Sequence, residues 1–446
     1  MPAIPLITGR LLPMTHRSTN ILTILILAGL VLGAIVGEFS FFDSGAVIDG
    51  NHWLKTTGDL VLIRPLKLLI VPLIFFSVIA GITRIGDPSK LGKVGGATLI
   101  YYLATMLMAV ILGTCLVTWI QPGMLPEEVR ATLQASGQEF GAASTATRDL
   151  SSAWLNIVYQ IVPVNLLEDM VKVRPLGIIV FAIAFGLALA AGGEKTKAAR
   201  DICNAAFEGL MILVRWVIWL TPIGVFFLVA WTVGKIGFQS IYGPLGWYMA
   251  TVLIGLAIHG FIVLPLILKL VGGVSPYQFM WQMKRALMTA VGTDSSSATL
   301  PVTIDCAEEE GHCSKRAANF VLPLGATINM DGTALYEAVA VVFLFQLFGI
   351  ELELSQLIVV VVTATLAAIG AAGIPSAGLV TMVIVISAVN MNLSGQESSP
   401  LPIAAIGIII GVDRILDMCR TAVNVWGDAV GARLITNLAP DETIER

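Results

Sequence analysis

Apolar segments of membrane-spanning length recur along this 446-residue chain. A helix crosses the hydrocarbon core of a bilayer with about 20 consecutive, mostly apolar residues. Eight such segments occur, at 21–38, 57–83, 96–120, 153–192, 203–233, 245–271, 316–349 and 398–436. Because 56% of the residues are hydrophobic and only 13% are charged, the composition differs from that of soluble globular domains. The sequence therefore predicts an all-α polytopic membrane protein.

The basic residues between these segments predict the orientation of the chain. Lys and Arg cluster before the first segment and after the second and the fourth, whereas the alternate gaps are poor in them and often acidic. Because cytoplasmic loops carry an excess of Lys and Arg, we expect eight crossings with residues 1–20 and the tail 439–446 in the cytoplasm. The expected location is the inner or plasma membrane. The net charge of −4 indicates no nucleic-acid partner.

Two further stretches, 277–312 and 355–392, are long enough to enter and leave the bilayer, but Gly, Ser and Pro interrupt each of them. The interruptions are GTDSSSATLP (292–301) and AAIGAAGIPSAGLV (367–380). Backbone groups exposed there must face protein or a water-filled cavity. We predict two re-entrant helical hairpins that alternate with the seventh and eighth spans as an inverted repeat. Paired interruptions of this kind indicate a transporter site.

The last apolar segment carries a polar face. Its polar residues are Asp413, Asp417, Arg420, Thr421, Asn424 and Asp428. At about 100° per residue, their spacing places them on one side of a helix. Charged groups at this depth cost several kcal/mol unless they face protein, water or ions. A structural ion pair needs only two such groups, so we favour a substrate or ion site over that alternative.

The seventh span contains GATINMDGTALYEA (325–338). In a continuous helix Asn329 and Asp331 would lie about 200° apart, and the Asp–Gly pair weakens the helix. We predict a locally unwound segment, whose carboxylates and freed carbonyls would be hard oxygen ligands suited to Na⁺. Glu337, four residues beyond Thr333, is either a permanently protonated hydrogen-bond donor or a reversible proton carrier.

At these motifs the chain resembles the dicarboxylate/amino acid:cation symporter family, which includes excitatory and neutral amino-acid transporters. The motifs are SSSATLP, NMDGTALYE, GAAGIPSAGLVTMV, PLKLLIVPLIFFSVIAGI (65–82), YYLAT (101–105) and the Asp417–Asp428 face. The resemblance implies a glutamate-transporter-like fold and a homotrimer. Residues 21–272 would form mainly the trimerisation scaffold, with the third span in the moving transport unit, and residues 273–438 would form the transport core.

The resemblance also implies a site for an acidic amino acid. Its residues would be Ser296, Thr333, Ile374, Gly378, Asp417, Arg420, Thr421 and Asn424. Arg420 would bind the side-chain carboxylate of the substrate in a bidentate pair, and Asp417 its α-ammonium group. Asn424 and the backbone at Ser296 would hold the α-carboxylate.

Three sodium sites follow from the same resemblance. The first site would use Asn329, Asn424, Asp428 and the Gly325 carbonyl. The second site would use Tyr102, Thr105, Asn329 and Asp331. The third site would use carbonyls near Thr327, Ala368, Ile369 and Ala371, and the second hairpin would close it as a gate. Glu337 matches the position where excitatory transporters carry a glutamate. Coupling to H⁺, with or without K⁺ counter-transport, is therefore a hypothesis.

The chain departs from the family pattern at three positions. Members that carry acidic substrates commonly have a second arginine at the first hairpin tip or two residues before Arg420, where this chain has Asp294 and Met418. Met106 follows Thr105 in place of a small hydroxyl residue, which weakens one sodium site. Asp294 either caps the helix after the tip, pairs with Arg420 in the empty state, or lowers the affinity for anions.

The predicted function is elevator-type symport of glutamate or aspartate with Na⁺, with H⁺ coupling left open. There are three alternative transport functions. One is a C4-dicarboxylate symporter, which Asp417 disfavours, and another is a neutral amino-acid exchanger, which Asp294 keeps open. The third is a passive channel. A membrane-embedded hydrolase would need Ser295–Ser297 near a histidine base. His259, the histidine clearly within a span, belongs to the predicted scaffold away from the hairpin tips. We therefore expect no enzymatic activity.

Overall fold

The computed structural model describes residues 16–44, 52–84, 92–124, 164–172, 175–369, 371, 377–394 and 401–440. These residues form helices and turns and no strand, which confirms the all-α prediction. The α-helices are α1 (His16–Gly37), α2 (Trp53–Gly58), α3 (Arg64–Arg84), α4 (Gly92–Ile120), α5 (Leu166–Val171), α6 (Pro175–Ala191), α7 (Lys197–Ile236), α8 (Phe238–Ile258), α9 (Leu264–Gly272), α10 (Pro276–Gln282), α11 (Lys284–Thr293), α12 (Ser296–Asp305), α13 (Lys315–Ile328), α14 (Asp331–Leu347), α15 (Leu354–Ile369), α16 (Ala377–Ser394) and α17 (Gly407–Ile435). Turns of π-helix at Glu38–Phe42, Asp59–Ile63, His259–Val263 and Cys306–Glu310 extend or join these helices.

Several of these helices are long and apolar enough to cross a membrane. Within the described residues they are Ile24–Phe42, Lys93–Ile120, Tyr242–Gly272 and Lys315–Leu347. The bent helix pair Gly193–Val214 and Trp219–Lys235 gives a fifth span if the two helices are counted as a single crossing. This pair bends by 49° between Val214 and Trp219, just before Pro222. A proline ring clashes with the carbonyl four residues earlier and so bends the helix ahead of it. The fourth predicted span, 153–192, is described only in part, as α5 and α6.

Close packing of small residues joins α1 to α7. A Cβ atom added at Gly29, Gly33 or Gly37 would lie 2.5, 2.6 or 2.7 Å from a backbone carbonyl oxygen of α7. A spacing of four residues keeps the three glycines on one helix face. Because lipid supplies no hydrophobic drive between spans, such close backbone approach is a main source of membrane helix packing.

The first hairpin consists of α11 and α12, and its tip lies at the predicted interruption. Asp294 has left-handed φ and ψ angles of 49° and 30° and ends α11. Ser295 is extended, and its Oγ accepts a hydrogen bond from the Ala298 N–H at 3.1 Å. Ser295 is therefore the N-cap of α12, and the prediction that Asp294 fills that role is wrong.

The second hairpin consists of α15 and α16, which pack against each other. The tip falls between Ile369 and Ala377, where only Ala371 is described. The predicted site residue Ile374 lies outside the described residues.

The predicted unwound segment in the seventh span is confirmed. Helix α13 ends at Ile328 and α14 begins at Asp331. Between them Asn329 (φ −94°, ψ 82°) and Met330 (φ −109°, ψ 55°) leave the helical region. The break frees backbone groups in the middle of the fold, at the place where α13 and α14 both pack against α17.

Helix α14 lies at the centre of this arrangement. It is buried along almost its whole length, and it contacts α4, α8, α15, α16 and α17. Helix α17 contacts α11, α13 and α14. The first hairpin, the broken helix and the polar face of α17 therefore meet in one region.

Candidate functional site

A cavity lies between the first hairpin tip, the break before α14, the start of α16 and the polar face of α17. Its lining residues are Asp294, Ser296, Met330, Thr333, Ala377, Gly378, Asp417, Arg420, Thr421 and Asn424. Seven of the eight predicted substrate residues therefore line one cavity, and the eighth is the undescribed Ile374. Residues separated by more than 100 positions in the sequence converge here.

Arg420 is the main cation of this cavity, although only 1% of its surface is exposed. Its Nε donates to Asp417 Oδ1 at 2.9 Å and its Nη1 to Asp413 Oδ1 at 3.1 Å. The guanidinium carbon lies 4.2 Å from the ring centre of Tyr336. Its buried Nη2 has no hydrogen-bond partner among the described residues. Two carboxylates therefore fix the plane of the guanidinium and leave donor capacity for a ligand carboxylate.

Two glycines allow the backbone to approach Arg420 from different elements. A Cβ atom at Gly378, near the start of α16, would lie 2.8 Å from Arg420 Nη1. A Cβ atom at Gly332, near the start of α14, would lie 2.5 Å from the Arg420 carbonyl oxygen. A side chain at Gly332 would clash with the backbone of α17, and one at Gly378 would displace the Arg420 guanidinium. The second hairpin therefore packs directly against the charged end of Arg420.

Asn424 connects α17 to the broken helix. Its Oδ1 accepts from the Gly332 N–H at 2.7 Å, and its Nδ2 donates to Thr333 Oγ1 at 3.1 Å. The Nδ2 also lies 3.5 Å from Met330 Sδ. The first contact satisfies one of the N–H groups left without a partner at the start of a helix. Sequence reasoning missed Met330, because a thioether in an apolar span carries no signal of a polar contact.

The predicted ligands of the first sodium site lie next to one another, with Asn424 one turn of α17 before Asp428. Asn329 Nδ2 donates to Asp428 Oδ1 at 3.0 Å, and both side chains are buried. A Cβ atom at Gly325 would lie only 2.2 Å from Asp428 Oδ1. The absence of a side chain at Gly325 is therefore what allows Asp428 to approach α13.

The predicted residues of the second sodium site also converge. Thr105 Oγ1 donates to Asn329 Oδ1 at 3.3 Å, and Tyr102 OH donates to the Val321 carbonyl at 2.6 Å. Asn329 Nδ2 and Asp331 Oδ2 lie 3.1 and 3.0 Å from the position of a Cβ atom added at Gly427. This cluster continues directly from the first sodium set through Asn329.

His259 belongs to this region, although sequence reasoning assigned it to the scaffold and gave it no role here. Its Nε2 lies 3.1 Å from Asp331 Oδ2, and both side chains are fully buried. Asp331 Oδ1 is buried without a hydrogen-bond partner in the described part of the chain. The signal was present in the sequence, since a histidine within an apolar span needs a polar partner.

The residues predicted for the third sodium site are only partly described. Thr327 Oγ1 donates to the Leu324 carbonyl at 3.2 Å, and the Ala371 N–H donates to the Ala368 carbonyl at 3.1 Å. The Ile369 carbonyl oxygen and the Ile328 side chain lie 3.6 and 3.9 Å from a Cβ atom added at Gly81. The ends of α13 and α15 therefore approach each other beside α3.

Glu337 is fully buried on α14, one turn after Thr333. Thr381 Oγ1, from α16, donates a hydrogen bond to Glu337 Oε1. Glu337 Oε2 is buried and has no partner in the residues that the structure describes. The carboxyl group of Glu337 thus touches the second hairpin directly, through a threonine that sequence reasoning did not identify.

Asp294 forms an ion pair with Arg414 of α17, and not with Arg420 as one of the predictions had it. The Arg414 Nη2 contacts Asp294 Oδ2, and the Arg414 side chain is 15% exposed. Sequence reasoning missed Arg414, although its spacing of three residues from Asp417 and seven from Thr421 places it at the edge of the polar face. An arginine in a membrane helix nevertheless requires a partner.

The arrangement lacks the geometry of a serine hydrolase in its described part. Ser295 Oγ caps α12, and His259 faces Asp331. The serine and the histidine are thus each engaged in other contacts.

Comparisons with known proteins agree with this geometry. The family model described as the sodium:dicarboxylate symporter family matches residues 22–438. The excitatory amino acid transporter 3 of Mus musculus is 39% identical over 462 residues, which cover 94% of this chain and 84% of the relative. The neutral amino acid transporter B(0) of Homo sapiens is 36% identical over 451 residues, which cover 94% of this chain and 80% of the relative.

Proposed function

This chain belongs to the sodium:dicarboxylate symporter family, and from that premise we propose that it takes up aspartate or glutamate together with Na⁺. It is a multi-pass membrane transporter and not an enzyme. The observation that carries the choice of substrate is Arg420, whose guanidinium is held by two carboxylates while Nη2 keeps donor capacity at the cavity.

In the proposed binding mode, Arg420 takes the side-chain carboxylate of the substrate and Asp417 takes the α-ammonium group. Asn424 and the backbone at Ser296 hold the α-carboxylate. Thr333, Thr421, Gly378 and Ile374 complete the site. The shared position of Arg420 and Asp417 in one cavity supports this mode, because a zwitterion with an extra carboxylate needs both signs of charge.

Asn424 and Asn329 provide the proposed link between substrate and sodium. Asn424 lines the cavity and also bonds the start of α14. Asn329 touches the residues of both ion sets, Asp428 and Thr105. A Na⁺ ion bound by Asp428 and Asn329 would fix the break in the seventh span, and with it the position of Asn424. Each ligand would then raise the affinity for the other, because such coupling is reciprocal.

The proposed transport step is elevator-type movement within a homotrimer whose chain termini are cytoplasmic. Residues 273–438 would move as the transport core, and residues 21–272 would supply mainly the scaffold. Two contacts support a place for the third span in the moving unit. Tyr101 OH donates to the Gly427 carbonyl at 2.8 Å and Tyr102 OH to the Val321 carbonyl at 2.6 Å.

Proton coupling is proposed at Glu337, with K⁺ counter-transport during the return step. The hydrogen bond from Thr381 supports this assignment, because protonation of the carboxyl group would change a contact between α14 and the second hairpin. The hairpin would then respond to the protonation state of Glu337.

The experiment that tests this function is uptake of radiolabelled aspartate and glutamate into proteoliposomes. An inward Na⁺ gradient is imposed first, and then a pH gradient alone. The proposal predicts concentrative uptake on the Na⁺ gradient. Uptake on the pH gradient alone would mean that H⁺ drives transport, with Glu337 as the proton carrier. No accumulation under either gradient would contradict an acidic substrate.

Exchange of neutral amino acids is a second candidate. Asp294 Oδ1 is buried beside the cavity without a partner in the described residues, and a negative charge there disfavours an anionic ligand. Counterflow of labelled serine and alanine would reveal this activity. A C4-dicarboxylate substrate is less favoured, because it has no ammonium group for Asp417.

A further inference from the structure

We propose that the Asp294–Arg414 ion pair sets the charge preference of the substrate cavity. Arg414 neutralises the carboxylate at the hairpin tip, so that Arg420 can accept a substrate with net negative charge. Neither residue belongs to the set that the family resemblance implies for the substrate. The inference rests on the proposed substrate site and deepens it, by naming the residues that distinguish acidic from neutral ligands.

The backbone of the first hairpin places Asp294 at the cavity. Its left-handed conformation ends α11, and the side chain is 1% exposed. One carboxylate oxygen contacts Arg414, while Oδ1 is buried with no partner among the residues described. Asp294 also lines the cavity together with Asp417 and Arg420. A carboxylate in this position acts on any ligand that the cavity holds.

The charges around the cavity show what Arg414 contributes. Asp294, Asp413 and Asp417 face Arg414 and Arg420. The three carboxylates and two guanidiniums of this cluster leave one excess negative charge. Removal of Arg414 would raise the excess to two, and removal of the charge on Asp294 would lower it to zero. Removal of both charges would restore the wild-type balance.

An acidic amino acid and a neutral one respond differently to this balance. The acidic substrate has a net charge of −1 and is repelled by each additional negative charge. The neutral zwitterion has no net charge, so only its dipole interacts with the change. The ratio of the two affinities therefore reports the charge of the Asp294–Arg414 pair, whereas a general distortion of the cavity would weaken both ligands.

The test is equilibrium binding of L-aspartate and L-serine to purified protein at saturating Na⁺. We expect Arg414→Gln to weaken aspartate binding by about 10- to 100-fold relative to serine binding. This is the size of the interaction between two unit charges several ångströms apart at an effective dielectric constant near 20. Asp294→Asn should shift the ratio in the opposite direction. The double variant Asp294→Asn with Arg414→Gln should return the ratio to within a few-fold of the wild type.

Arg433→Gln is the matched control, since Arg433 lies on the same helix, beyond the polar face. It should leave the ratio unchanged. Equal weakening of both ligands by Arg414→Gln, or a double variant that keeps the Arg414→Gln ratio, would overturn the inference. If Arg414→Gln does not fold, Asp294→Asn still decides, because an unchanged ratio there contradicts the pairing. Wild-type protein that binds neither amino acid would instead remove the proposed function, and this inference with it.

Discussion

Replacement of Gly325 by alanine should weaken sodium binding while leaving the helix itself at least as stable. A Cβ atom at this position would lie 2.2 Å from Asp428 Oδ1, 2.6 Å from Asp428 Cγ and 2.9 Å from Tyr102 OH. Carbon–oxygen contacts settle at about 3.3 Å or more. The Asp428 carboxylate must therefore move by about 1 Å, which also breaks its hydrogen bond with Asn329.

The displacement determines the size of the expected effect. Metal–ligand distances tolerate deviations of about 0.2 Å, so a carboxylate displaced by about 1 Å no longer ligates an ion held by the other residues. Loss of a group that merely orients a ligand costs about 10- to 100-fold in metal affinity, and loss of the ligand itself should cost at least as much. In a helix interior, alanine is favoured over glycine by about 1 kcal/mol, which offsets part of the cost of displacing the buried Asp428 carboxylate.

The assay is the melting temperature of the purified protein as a function of Na⁺ concentration, since an ion that binds only the folded state raises it. Gly96→Ala is the control, because a Cβ atom on that α4 glycine would meet nothing within 4 Å. The Gly325→Ala variant should need at least a tenfold higher Na⁺ concentration to reach half of the Na⁺-induced rise in melting temperature. If both variants titrate alike, Asp428 and Gly325 do not form a sodium site.

Three further outcomes follow from the same contacts. Arg420→Lys keeps the charge but loses the planar fork, so aspartate binding should weaken by about tenfold or more in a binding titration, and retained affinity would contradict the bidentate role. Glu337→Gln should remove the pH dependence of Na⁺-driven aspartate uptake while keeping its Na⁺ dependence; a variant with unchanged pH dependence sinks the proton hypothesis. Ser295→Ala removes the cap of α12 and should lower the free energy of unfolding by about 1 kcal/mol, whereas the exposed Ser297→Ala should leave it unchanged.

Patterns within single helices predicted much of this fold and site. The spacing along α17 placed six polar residues on one face, and all six are buried. The Asn–Met–Asp–Gly sequence predicted the break at Asn329, because local helix propensity and side-chain direction both opposed a continuous helix. Such features depend on neighbouring residues in the chain, and they can be predicted from periodicity alone.

Contacts between distant helices were the part that sequence reasoning missed. Arg414 pairs with Asp294, and His259 with Asp331, over separations of 120 and 72 residues. A single sequence shows that a buried charge needs a partner, but the choice of partner depends on how helices cross. The cap of α12 was assigned to the wrong residue for a related reason. Both Asp294 and Ser295 can cap a helix, and only the left-handed turn at Asp294 decides between them.

Coupled flux of ²²Na⁺ and radiolabelled aspartate in the same proteoliposomes tests the central claim most directly. An inward aspartate gradient, with Na⁺ equal on both sides, should drive accumulation of ²²Na⁺ in wild-type vesicles, and Asp428→Asn should abolish it. Aspartate that enters without moving Na⁺, or accumulation of ²²Na⁺ that survives in Asp428→Asn, would contradict a symporter whose sodium site includes Asp428.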